Sequence, residues 1–297
     1  MRLDDLDPTD NARDLGSGGG GGGFPLLGLL PLFLGRGMGC GGIVLIGIIA
    51  LVMFGLGGGG GMLGSSGGGG ADRSPTAGQS GQQVCRVNAL RLEACRVMRS
   101  TDLTWAKIFQ EMGRSDYKPA TINFFSGGAR TGCGAASSAV GPFYCPSDNG
   151  VYIDTTFFDE LQNRFGAKGD FARDYVIAHE MGHHIQDLLG TSSEVSRAQS
   201  QASKTEGNRL SVQLELQADC YAGVWAARNR DRLEPGDVEE GMTAANAIGD
   251  DTLQKEAQGT VVPDSFTHGT SAQRMAWLKR GLETGDPRQC DTFSATQ

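Results

Sequence analysis

Three of the four histidines of this chain fall within six residues, in YVIAHEMGHHIQDLLG (175–190). On a helix each residue advances about 100°, so His179 and His183 lie about 40° apart on one face, one turn from each other. Two imidazoles so placed can reach a single ion. Glu180 is about 60° from His183, near enough to take a proton from a water at that ion without binding the ion itself. This is the H-E-x-x-H arrangement of zinc hydrolases. His184 lies about 140° from His179 and is expected to be a structural residue. The competing reading is a helix whose histidines are merely satisfied or exposed, and four histidines give that spacing little chance of arising at random.

A catalytic zinc takes three protein ligands and leaves one position open. A third histidine in the pattern H-E-x-x-H-x-x-G-x-x-H is excluded, because Gln186 and Leu189 occupy the positions of its glycine and last histidine. Downstream, SVQLELQADCYAGVWA (211–226) carries Glu215 and Asp219 at i and i+4, on one helix face. The helix is otherwise apolar, and a carboxylate buried on it needs a partner, which a metal ion would supply. Glu215 is the expected third ligand, with Asp187, Glu194, Glu206 and His268 as alternatives. Asp219 is expected to accept the second ring N–H of His179 or His183. In FTHGTSAQR (266–274), His268 is a candidate donor to a developing oxyanion, with Arg274 behind it; the competing reading of His268 is an ordinary loop residue.

The elements that must hold these residues read as α+β. A helix over 84–113, interrupted near Ser100–Asp102, precedes β-branched and aromatic runs at 120–125 and 150–158, with GPFYC as a third strand. Gly169-Asp170 opens the helix that carries the histidines to Gly190. Segments 208–230, 235–246 and 270–282 are expected to be helical. The outline is a small sheet packed with the active-site helix, followed by a mostly helical half. The run VYIDTTFF is the candidate to lie beside an extended substrate by edge pairing.

Composition divides the chain. Residues 1–80 hold most of the 47 glycines, and residues 81–297 are an ordinary soluble mixture. The net charge is −8 without a Lys/Arg run, which argues against a nucleic-acid partner. Residues 1–23 are acidic and glycine-rich and are expected to be disordered. The apolar blocks within 24–63 are expected to form a membrane segment, with the span at about 38–62. A Gly/Ser-rich linker over 64–80 would then lead to a folded domain at 81–297. Arg2, Arg13 and Arg36 precede the span and only Arg73 closely follows it. The expectation is therefore a single-pass protein with a cytoplasmic N-terminus and an extracytoplasmic domain. Six cysteines lie beyond the span, an even number that suggests disulfides. Cys133–Cys145 is the first choice; Cys85–Cys95 requires a bend, because a straight helix would hold them roughly 15 Å apart.

Four stretches, CGAASSAVGPFYCPSDNGVYIDTTFF, GDFARDYVIAHEMGHHIQDLLG, ELQADCYAGVWA and HGTSAQRMAWLKRG, run through most of 117–290. In these the chain resembles the bacterial family of neutral zinc metallopeptidases. The resemblance implies a zincin-like, gluzincin-type peptidase domain on a membrane anchor, with one zinc on His179, His183 and Glu215 and with Glu180 as the catalytic residue. Such an enzyme hydrolyses peptide bonds in a protein or peptide substrate: Glu180 takes the proton of the attacking water and delivers it to the leaving amine. A different class of function is a non-catalytic, membrane-tethered binding or assembly module with a structural metal. Glu180 argues against it, since a structural site has no use for a base beside its ligands.

Overall fold

In the computed structural model, residues 1–17, 79–164 and 166–294 are described. The first surprise is at the N-terminus. Residues Ala12–Ser17 form a strand, β1, that pairs in parallel with β2 (Thr121–Ser126), Ala12 beside Ile122 and Asp14 beside Phe124. Met1 and Leu3 are buried in the main core. The Met1 ammonium sits 2.9 Å from Asp170, 3.3 Å from Asp237 and 3.7 Å from Asp174. Ion pairs Asp4–Arg96, Asp5–Arg232 and Asp14–Arg91 fasten the rest. Asp4, Asp5 and Asp14, which argue for disorder, thus find cationic partners more than 75 positions away, and the disordered tail expected over 1–23 does not hold for residues 1–17.

This ladder also overturns the expected topology. A single span between residues 17 and 79 would set β1 and β2 on opposite sides of a bilayer, yet they hydrogen-bond to each other. The expected span itself lies outside the described residues. Among the described residues no helix is long and apolar enough to cross a membrane.

The sheet runs β4 (Gly134–Ser137), β3 (Gly128–Thr131), β2, β6 (Gly150–Ile153) and β5 (Phe143–Cys145), with β1 also on β2. Strand β6 pairs with β2 on one side and with β5 on the other. It has no free edge, so 150–153 cannot be the strand that pairs with an extended substrate.

The first helical stretch breaks earlier than its sequence suggests. Helix α1 (Gly81–Cys85) ends at Arg86, and Asn88 caps α2 (Ala89–Glu111) by accepting from the Arg91 N–H at 2.8 Å. Ser100 to Asp102 stay inside α2. The bend at 86–88 lets Cys85 and Cys95 form a disulfide, and Cys133 pairs with Cys145 as expected. The remaining pair, Cys220–Cys290, closes across 70 positions.

After α3 (Thr156–Asn163) comes the central helix α4 (Asp170–Leu189). It is buried almost all round, between the sheet, α2 and α6 (Lys204–Arg228), with α5 (Thr191–Gln199) as the connection. Gly190, at φ 86°, ends α4 in the left-handed conformation that favours glycine. Helices α7 (Asp237–Ala247), α8 (Asp250–Gln258) and α9 (Ser271–Thr284) complete the helical half.

Candidate metal centre

The distance between α4 and α6 is set by Gly182. A Cβ at that position would stand 2.9 Å from the Cα and from the carbonyl oxygen of Ala218. With no side chain there, the histidine helix lies directly on the helix of Glu215 and Asp219.

At that contact the structure brings His179, His183 and Glu215 together, with one potential ligand atom from each inside a span of 4.8 Å. His179 Nε2 lies 3.1 Å from Glu215 Oε2, and His183 Nε2 lies 3.2 Å from Glu215 Oε1. Both imidazoles therefore turn the same nitrogen toward the same carboxylate. Their other nitrogens are taken: His179 Nδ1 by Asp219 Oδ1 at 2.8 Å, and His183 Nδ1 by Gln186 Oε1 at 2.9 Å. Asp219 thus orients His179 and not His183.

Glu180 is 2% exposed, and its Oε2 has no hydrogen-bond partner. Burial raises its pKa above the ordinary carboxylate value, against the opposing pull of the two imidazoles. Glu215 goes the other way. Burial opposes its charge, but His183 and His179 outweigh that and hold it well below the usual range. Burial likewise disfavours a charged His179, yet Asp219 beside it, with Glu215, raises its pKa to about 10.

Arg274 stands elsewhere than expected. Its guanidinium grips Asp219 with Nε and Nη2, both at 2.9 Å, and lies behind His179 instead of His268. The Tyr175 hydroxyl donates to the same carboxylate at 2.6 Å. All three side chains are buried. Arg274 and His179 hold the Asp219 pKa down although burial pushes it up.

His268 is buried in the loop before α9. Its Nδ1 lies 3.1 Å from Asp250 Oδ1, and the other oxygen of Asp250 accepts the backbone N–H groups of 267, 268 and 269. Its Nε2 has no partner. The loop packs against α6, where a Cβ on Gly269 would meet Val212 and Leu216 at 3.1 and 3.3 Å. The neighbouring imidazole helps to lower the Glu215 pKa.

Three other candidates, His184, Asp187 and Glu206, are engaged elsewhere. His184 is structural, with Nε2 on the Lys118 carbonyl at 2.7 Å and Nδ1 on the Tyr144 hydroxyl at 3.1 Å. Asp187 accepts from Tyr144 at 3.2 Å, and Glu206 pairs with Arg209 on the surface. The sequence reading missed Gln186, except as the residue that breaks a longer zinc pattern, and it missed Tyr175 and Gln217. Their signal was faint: polar side chains on otherwise apolar helices.

Two imidazoles and a carboxylate gathered around one point could hold a metal ion, and the buried, unpartnered Oε2 of Glu180 is on the same helix as the two histidines. The chain belongs to the family described as "Putative neutral zinc metallopeptidase", whose profile matches residues 1–293. It is 54% identical over 199 residues to the "Uncharacterized protein YpfJ" of Escherichia coli K12, covering 66% of this chain and 69% of that one. It is 44% identical over 229 residues to the "Uncharacterized protein Rv2575" of Mycobacterium tuberculosis H37Rv, covering 71% of this chain and 75% of that one. No solved structure matches.

Proposed function

We propose that the chain is a zinc-dependent metallopeptidase of zincin type, holding one zinc through His179, His183 and Glu215. The observation that carries this reading is the convergence of both Nε2 atoms on the two oxygens of Glu215, 3.1 and 3.2 Å away. A shared ligand would account for two imidazoles and a carboxylate buried facing one another, each histidine held by its far nitrogen. The donor chemistry fits: two neutral nitrogens and one carboxylate leave the fourth position open.

Zinc held there would lower the pKa of water and polarise a substrate carbonyl. The chain's own residues supply the rest. Glu180 has an unpartnered oxygen and a raised pKa, so it can take a proton from the attacking water and return it to the leaving amine. His268, with Nδ1 turned to Asp250 and Nε2 unengaged, is the candidate donor to the oxyanion when protonated. Asp219 keeps the His179 proton on Nδ1. The substrate class is a protein or peptide.

The test is zinc content and proteolysis in the full chain, in wild type, Glu215→Ala and Glu180→Gln. Expected are about one zinc per wild-type chain by the three-ligand reading, loss in Glu215→Ala, and retained zinc with lost hydrolysis in Glu180→Gln. A folded wild type that takes up no added zinc would overturn the reading.

A further inference from the structure

His183 has a hydrogen-bond partner that leads away from the site. Gln186 Oε1 meets its Nδ1 at 2.9 Å. The amide nitrogen of Gln186 donates to the Leu214 carbonyl at 2.6 Å and to Gln217 Oε1 at 3.2 Å. The amide nitrogen of Gln217 donates in turn to the carbonyl of Cys290 at 3.0 Å. Cys290 is fixed by its disulfide to Cys220 on α6. Beside it, Thr292 and Gln213 exchange two hydrogen bonds, at 2.6 and 3.2 Å. Gln186, Gln217 and Cys290 are all buried.

The polarity of this chain of bonds admits one direction. A backbone carbonyl only accepts, so each amide must turn its nitrogen toward the carbonyl it faces. Gln217, facing the Cys290 carbonyl, presents its oxygen to Gln186. Gln186, facing the Leu214 carbonyl and that oxygen, presents its own oxygen to His183. An amide oxygen cannot donate, so His183 must carry its proton on Nδ1. Its Nε2, beside Glu215, then keeps the lone pair that a metal ion needs. His179 reaches the same tautomer by a different device, the Asp219 carboxylate.

We propose that Gln186 and Gln217 are positioning residues which, anchored on the disulfide-held carbonyl of Cys290, fix the tautomer and ring orientation of His183. The C-terminal segment therefore belongs to the support of the metal centre. This rests on the metal reading above, since it assigns the Nε2 lone pair to an ion. Partners of this kind typically contribute about 10- to 100-fold in metal affinity.

The test uses the full chain and two measurements. Zinc affinity is read by competition with a chelator in wild type, Gln186→Leu, Gln217→Leu, the double variant Cys220→Ser/Cys290→Ser and, as a control, Cys133→Ser/Cys145→Ser. Affinity is expected to fall about 10- to 100-fold in Gln186→Leu, to fall by less in Gln217→Leu and in Cys220→Ser/Cys290→Ser, and to stay at the wild-type value in the control. The second measurement is 15N NMR of the histidines, of which there are four. Wild type is expected to show His183 protonated at Nδ1, with that proton exchanging faster in Gln217→Leu. Wild-type zinc affinity in folded Gln186→Leu or Gln217→Leu would overturn the proposal. So would a wild-type His183 protonated at Nε2, a result that needs no variant to fold. If wild type bound no zinc, the metal reading would fall, while the Nδ1 proton, read in zinc-free protein above the His183 pKa, would still decide the relay.

Discussion

Gly182 lies so close to Ala218 that a methyl group on it would stand 2.9 Å from the Ala218 backbone. One helix supplies the histidines and the other supplies Glu215, so this contact fixes the width of the proposed metal centre. Gly182→Ala should force the helices apart or bend them, costing about 1–3 kcal/mol as overpacking does. Because the shift separates His179 and His183 from Glu215, zinc retention should also fall. Denaturation with and without zinc checks both: the stabilisation by zinc seen in wild type should shrink in the variant.

The raised pKa of Glu180 predicts a particular acid limb. A base must be ionised to accept a proton, so hydrolysis should rise with pH through the Glu180 pKa. Burial places that pKa above the ordinary glutamate value. Burial favours an acid-side midpoint of kcat/KM above that of an exposed glutamate, and the charge of a bound zinc would draw it back down. An acid limb whose midpoint does not move in Glu180→Asp, measured on any peptide the enzyme cleaves, would count against Glu180 as the base.

Arg274 and Asp219 are a fully buried ion pair with bidentate geometry. Removing one partner leaves the other charge without compensation. Arg274→Met is expected to cost on the order of 3–5 kcal/mol, and Tyr175→Phe, which deletes one hydrogen bond to the same carboxylate, about 1 kcal/mol. Chemical denaturation of the three proteins gives the comparison, and equal losses would show that Asp219 does not depend on the guanidinium.

Asp102 lies away from the site, buried under Tyr117, whose hydroxyl donates to it at 2.5 Å. Burial pushes its pKa up to about 7, above its value in the unfolded chain. The folded state then holds a proton that the unfolded state releases near pH 4, so stability should decline from about pH 4 to pH 7 and level off above. Asp102→Asn should flatten that slope, which amounts to a few kcal/mol at most. A slope unchanged in the variant would assign the pH dependence to other groups.

The local part of the site was legible in the sequence. His179, Glu180 and His183 are within one turn, so helix geometry alone relates them, and Glu215 stood out as a charge on an apolar helix. Gln186, Gln217 and Arg274 were opaque because their roles depend on partners 28 to 73 positions away. The strand at 12–17 was opaque for the same reason. ARDLGS has no β pattern of its own and becomes a strand by lying on β2 and pairing Asp14 with Arg91. Three further features were missed: the hairpin of β3 and β4, in residues without the usual β-formers, and the short helices α5 and α8, which are largely polar.

The pairing of β1 with β2 also decides what a protease could release. Residues 1–17 are packed into the fold of 79–164 and 166–294, so a cut anywhere between 18 and 78 would sever the chain without freeing either piece. The short fragment would stay bound through its ladder, its buried Met1 and its ion pairs to Arg91, Arg96 and Arg232. Nicked protein should run as two bands under denaturing conditions and as one species in its native state.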